Sequence, residues 1–107
     1  GVLCDHRALA AYARAKTRTH GITRDSRVLI TSAHTWDPAL GDISSTISVG
    51  GTICIVPRAA LLQDLGAALR LTRSTHASAT PSLLALLPHA ALAHAAHLQL
   101  LAVGGEQ

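Results

Sequence analysis

The side chains with the most chemical potential lie in one run, His34-Thr35-Trp36-Asp37-Pro38-Ala39-Leu40-Gly41-Asp42. It sits between an apolar run, Val28-Leu29-Ile30, and a helix-like segment that ends at Gly50-Gly51. An aromatic beside a carboxylate, at a strand end that becomes a helix start, is where open α/β sheets place ligand groups. Asp37 followed by Pro38 also reads as a helix N-cap with proline at the first helical position. The residues alone leave both roles for Asp37 open, a helix cap or a group facing a substrate. His34 likewise either lines a pocket or fills a half-buried turn.

Other chemistry-bearing residues are less organised. The chain has seven histidines. His89, His94 and His97 cluster, and His94 and His97 would share a helix face, but no cysteine or carboxylate lies near them to complete a zinc set. They read as exposed helix histidines. Gly104-Gly105 lacks the fuller glycine pattern of a dinucleotide turn, and the chain has neither a Walker A sequence nor a nucleophile elbow. Two glycines after a strand read as a plain turn, or as a place where a flat ligand approaches the backbone. No complete active site is visible.

The elements that position these residues follow from propensity and capping. Asp5 caps a helix over residues 6–19 rich in Ala and Leu, and Gly21 ends it. Residues 27–32 read as a strand whose contiguous apolar residues suit a parallel sheet covered on both faces. Residues 38–49 are helical and Gly50-Gly51 closes them. Residues 52–56 are a second buried strand, stopped by Pro57. The apolar spacing of 61–71 predicts one helix. Residues 76–80 form a weak third strand. Thr80 caps a helix over 82–87 with Pro81 in its first turn. Residues 90–96 form another short helix, and 98–103 a fourth strand. Strands alternating with helices predict an α/β fold: a parallel sheet with flanking helices and right-handed crossovers.

The 107 residues suffice for one small domain. Apolar residues make up 49% and charged residues 14%, which excludes a disordered chain. With no Phe or Met, the core must come from Leu, Ala, Ile and Val. The net charge of +3 comes mostly from scattered arginines without interleaved aromatics, so no nucleic-acid partner is expected. No apolar run approaches the ~20 residues that span a bilayer, and no secretory-signal pattern is present, so no membrane partner is expected. Cys4 and Cys54 read as buried free thiols of a cytosolic protein. The Gly-Val-Leu start and the final loop read as the edges of a piece cut from a longer chain.

Four short motifs, in order, resemble the adenylate-forming enzymes, most of all the amino-acid adenylation domains of nonribosomal peptide synthetases. Gly1-Val2 followed by His6-Arg7-Ala8-Leu9 is similar to the segment just after the family's phosphate loop. Trp36-Asp37-Pro38-Ala39-Leu40 resembles its Phe-Asp-x-Ser motif, with Trp36 for Phe and Ala39 for Ser. Asp42 stands where the family usually has Glu. Thr80-Pro81-Ser82-Leu83-Leu84 and Val103-Gly104-Gly105-Glu106 resemble its Thr-Pro-Ser-Leu-Leu segment and its Gly-Gly-Glu. The likeness covers all of residues 1–107, which would be a partial adenylation (AMP-binding) domain within the large N-terminal subdomain, lacking the phosphate loop, the Tyr-Gly-Pro-Thr-Glu motif and the C-terminal subdomain.

The resemblance implies that Asp37 pairs with a substrate α-amino group, a charge-assisted contact. It implies that Trp36, Pro38, Gly41 and Ala102 belong to the acyl pocket, with Gly41 leaving room for a substrate side chain. Gly104, Gly105 and Glu106 would pack on the adenine. The implied reaction joins an amino acid, or another carboxylic acid, to ATP with Mg2+, and passes the acyl group to phosphopantetheine on a carrier-protein domain. The isolated segment would be inert, with no catalytic or metal residue of its own. Acyl-CoA and aryl-acid ligases, which carry His near His34 and lack the amino-binding Asp, are the alternative branch. A non-catalytic flavodoxin-like binding module is the reading from a different class.

Overall fold

The computed structural model describes residues 1–87, 91 and 94–106. The first helix, α1 (His6–His20), is bounded by local chemistry. The Asp5 carboxylate accepts from the Ala8 amide at 2.7 Å, and Gly21 ends the helix in the left-handed region at φ 65°. Glycine adopts that conformation without a Cβ penalty.

Four strands follow: β1 (Arg27–Leu29), β2 (Thr52–Cys54), β3 (His76–Ala79) and β4 (Leu100–Val103). Between them lie α2 (Asp37–Ser48), α3 (Arg58–Gln63), α4 (Leu65–Thr72) and α5 (Pro81–Ala85). The sheet order is β2-β1-β3-β4 and every pairing is parallel. Both faces are covered. Leu29, Cys54, Ala77 and Ala79 pack with Leu61, Leu65, Leu69 and Leu83 of α3, α4 and α5. On the opposite face the Nε2–H of His76 donates to the His20 carbonyl at the end of α1, at 2.9 Å. That carbonyl can only accept, so Nε2 carries the ring proton. Ser78 on the same face reaches Asp42 of α2 at 3.4 Å. Neighbouring residues of β1 therefore both lose water, with Val28 1% and Leu29 0% exposed. This accounts for the contiguous apolar run, and each such side chain contributes roughly 1.5–3 kcal/mol by burial.

Several expectations shift. The single helix expected over 61–71 is two, because Asp64 breaks it at φ −156°, ψ 90° and its carboxylate caps α4 through the Ala67 amide at 2.8 Å. Aspartate offers the backbone this local alternative to helix continuation. The N-cap of α2 is Trp36, without a side-chain cap bond, and Asp37 is the first helical residue. Strands β1 and β2 end at Leu29 and Cys54, and α5 ends at Ala85, two residues short of its predicted end. Cys4 is exposed, not buried, because it lies in the segment ahead of α1, where nothing covers it; Cys54 is buried as expected. The helix expected over 90–96 falls largely outside the described residues. His94 and His97 lie in turns and are exposed. No described helix is long and apolar enough to cross a membrane.

Helices α1 and α2 are joined by an ion pair that sequence reasoning did not single out. Lys16 Nζ lies 2.6 Å from Asp42 Oδ1, with the two side chains only 8% and 2% exposed. One turn from it, Tyr12 packs on Gly41, where an added Cβ would stand 2.8 Å from the ring.

Candidate ligand crevice at the strand ends

From β1 the chain moves to β2 at one edge, then returns past β1 to β3. Adjacent strands β1 and β3 thus send their connections to opposite sides. The carboxyl ends of two such strands open into a crevice, the usual ligand position in open α/β sheets. A cavity of about 500 Å³ occupies that position. It falls within the size range of small-molecule sites.

Each strand end contributes to it. Thr31, Ser32, Ala33 and Trp36 follow β1; Arg58 and Leu62 follow β2; Thr80, Ser82, Leu83 and Leu86 follow β3; Glu106 follows β4. Trp36 is 65% exposed and lines the crevice. Asp37 is exposed at the first turn of α2, and among the described residues its carboxylate has no hydrogen bond or ion pair. Pro38 is half-buried beside it.

Glu106 is held across the crevice. Its carboxylate accepts from the Ser82 amide at 2.9 Å and from the Ser82 hydroxyl. The Ser82 hydroxyl first, then the Ser82 amide, holds the Glu106 carboxyl below its ordinary value of 4.5. A carboxyl with a depressed folded-state pKa adds stability that is present above the unfolded value and lost as pH falls through the folded one. Ser82→Ala should therefore move the Glu106 titration upward toward 4.5, read by carboxyl carbon NMR. An unchanged titration would show that the contact does not form in solution. Gly104 donates its amide to the Ala79 carbonyl at 3.2 Å, extending the β3–β4 ladder. Gly105 turns the chain at φ 91°, in the region that favours glycine.

Of the eight residues expected beside a ligand, Trp36 and Glu106 line the crevice; Asp37, Pro38, Gly104 and Gly105 are their chain neighbours and not lining residues, and Gly41 and Ala102 face another way. Gly41 is on the α1 side of α2, and the space it leaves is taken by Tyr12 and not by open cavity. Ala102 is half-buried on β4 and pairs with Ser78, on the face that α1 and α2 cover. Neither is among the described lining residues of the crevice. His34 is exposed in the turn before α2. Sequence reasoning missed Arg58 and Thr31. Their only sequence signal is position, one residue past the Pro57 strand stop and two past the end of β1.

No protein-family model matches the chain. Relatives are numerous. The FR901469 synthetase of Dothideomycetidae sp. (strain 11243) is 38% identical over 81% of the chain. A nonribosomal peptide synthetase of Gibberella zeae (GRA1) is 35% identical over 100% of it. The chain spans only about 1% of the length of either relative. Among solved structures, CmiS6 superposes with a TM-score of 0.85 at 34% identity, covering 100% of this chain and 27% of that one. IdnL1 superposes with a TM-score of 0.68 at 30% identity, over 90% of this chain and 19% of that one. Sequence and fold together support this chain as a segment related to the nonribosomal peptide synthetases.

Proposed function

We propose that the chain is part of an adenylation domain that activates an amino acid as its aminoacyl-adenylate, for loading onto the phosphopantetheine thiol of a carrier-protein domain. One observation carries the reading. Three motifs far apart in sequence, Trp36-Asp37, Thr80-Pro81-Ser82 and Gly104-Gly105-Glu106, meet at the carboxyl ends of β1, β3 and β4, and Glu106 closes onto Ser82. A shared ligand explains why those three strand ends carry the motifs together.

The residues present fit part of this chemistry. Bound ATP supplies the α-phosphorus that a substrate carboxylate attacks, releasing pyrophosphate. Gly104 offers open backbone, since a Cβ there would meet nothing within 4 Å, and at Gly105 it would meet only Thr80 at 3.7 Å. Such a surface suits a flat base. Asp37, free of any partner among the described residues, offers a carboxylate for a substrate ammonium, with Trp36 and Pro38 as neighbouring wall. Mg2+ would accompany ATP, held mainly by its phosphates and by water with at most one or two carboxylates; no group of three metal-ligating side chains gathers among the described residues, and no step is assigned to a metal here. In this reading the phosphate loop and the other catalytic groups belong to the rest of the domain.

The test is acid-dependent ATP–pyrophosphate exchange on the polypeptide that carries this segment, comparing amino acids with their deaminated analogues. Exchange should require the α-amino group. Equal exchange with deaminated acids would favour the acyl-CoA or aryl-acid ligase branch. Absence of exchange with every acid would remove the adenylation reading.

A further inference from the structure

We infer that Arg58 is an anion-recognising residue of the crevice, placed to take a carboxylate or phosphate group of the bound ligand. The inference rests on the crevice being the ligand site. Among the described residues that line it, Arg58 and Glu106 are the two charged side chains. Glu106 is already satisfied, because both its oxygens accept from Ser82. No carboxylate lies within ion-pair distance of Arg58 among the described residues. The crevice therefore holds one charge of each sign: the Glu106 carboxylate, hydrogen-bonded to Ser82, and the Arg58 guanidinium, which has no carboxylate in contact among the described residues.

That charge is also oriented. Pro57 and the first turn of α3 fix the Arg58 backbone, and its Nη1 donates to the Thr31 carbonyl at 2.8 Å. Thr31 is itself 3% exposed and its hydroxyl donates to the Ser78 carbonyl, so the anchor belongs to the sheet rather than to a loose loop. A guanidinium has five N–H donors in a planar fork. One donor braced on a carbonyl leaves the others for a carboxylate or phosphate, whose geometry the fork matches. Bracing before the ligand arrives reduces the ordering cost of binding. The Ser32 hydroxyl adds an uncharged donor around the same space; that of Thr80 is engaged by Ser82 and the Leu83 amide.

The test compares Arg58→Gln and Arg58→Lys with the unaltered protein in the exchange assay, measuring KM for ATP and for the acid separately. Glutamine keeps a donor for the Thr31 carbonyl but no charge; lysine keeps the charge. Arg58→Gln should raise one KM by about 10- to 100-fold, the range for a lost hydrogen bond to a charged group, with kcat little changed. Arg58→Lys should restore part of it. A rise confined to ATP identifies a phosphate as the anion, and a rise confined to the acid identifies a carboxylate. If Arg58→Gln leaves both KM values unchanged, or lowers kcat alone, Arg58 is only a brace for the β1 end and the inference falls. If the unaltered protein shows no exchange, the adenylation reading fails separately. Binding of AMP, inorganic phosphate and acetate to the same polypeptide that carries this segment, measured by titration calorimetry, then decides. Binding lost in Arg58→Gln supports the inference, and equal binding or none overturns it.

Discussion

Lys16→Met should lower the unfolding free energy by about 3–5 kcal/mol, the cost of leaving a buried charge without its partner. Native domains are stable by only about 5–15 kcal/mol, so this one change should clearly lower the urea midpoint of the polypeptide that carries this segment. The Asp42 carboxylate is 2% exposed and has given up its hydration. Its Oδ1 is held by Lys16 at 2.6 Å, and its Oδ2 has no partner among the described residues. Ser78 at 3.4 Å is too long a contact to replace an ammonium. The double variant Lys16→Met, Asp42→Leu should recover most of the loss, because a buried pair exchanged for apolar side chains is often neutral or better. A single variant within 0.5 kcal/mol of the parent would show that the pair is hydrated in solution. His20 gives an independent readout. Burial first, and the Lys16 ammonium second, hold its imidazole below the ordinary 6.5. Without Lys16 the titration should move upward in proton NMR. A depressed histidine takes up protons more readily when unfolded, so its contribution to stability falls as pH drops below about 6.5.

Asp37→Ala should lower amino-acid-dependent exchange by at least roughly 30-fold while leaving thermal unfolding nearly unchanged. If Asp37 pairs with the substrate ammonium, its removal leaves that cation desolvated and unpaired, a loss of about 2–5 kcal/mol, or roughly 30-fold to several thousand-fold in kcat/KM. Asp37→Asn should lose nearly as much, since it keeps shape but not charge. The stability arm separates this role from helix capping. A true N-cap costs about 0.5–2 kcal/mol when replaced by alanine. Here the N-cap is Trp36, and the Asp37 side chain makes no cap bond. Only the favourable interaction with the helix N-terminus, about 0.3–1 kcal/mol, is at stake. Full exchange activity combined with a clear loss of stability would return Asp37 to a structural role.

The local signals in the sequence determined the capped helix ends, whereas strand ends and uncapped helix ends moved by one to three residues. Asp5, Gly21 and Thr80 bound helices as their types require, because a cap is a contact between neighbours in the chain. Even there the α2 start was off by one residue, since Asp and Pro are both at home in a first turn and the extended residue before them is a tryptophan. At Asp64, continuous apolar spacing concealed a break, because periodicity records which face is apolar and not whether the backbone continues through it. The contiguous run at Val28-Leu29-Ile30 did foretell a sheet covered twice. By itself, then, the sequence determined the α/β class, the parallel strands, the capped helix ends and the motifs at the strand ends.

Only the tertiary structure decided the strand order β2-β1-β3-β4, and with it which strand ends share a crevice. It joined Glu106 to Ser82, Arg58 to Thr31 and Lys16 to Asp42, pairs too distant in sequence for local pattern to connect. It also turned Gly41 toward Tyr12 and left Asp37 open to solvent, though the two share the same helix. The reason is that helical spacing assigns residues to faces, whereas the neighbour that covers each face is selected by packing among the assembled elements.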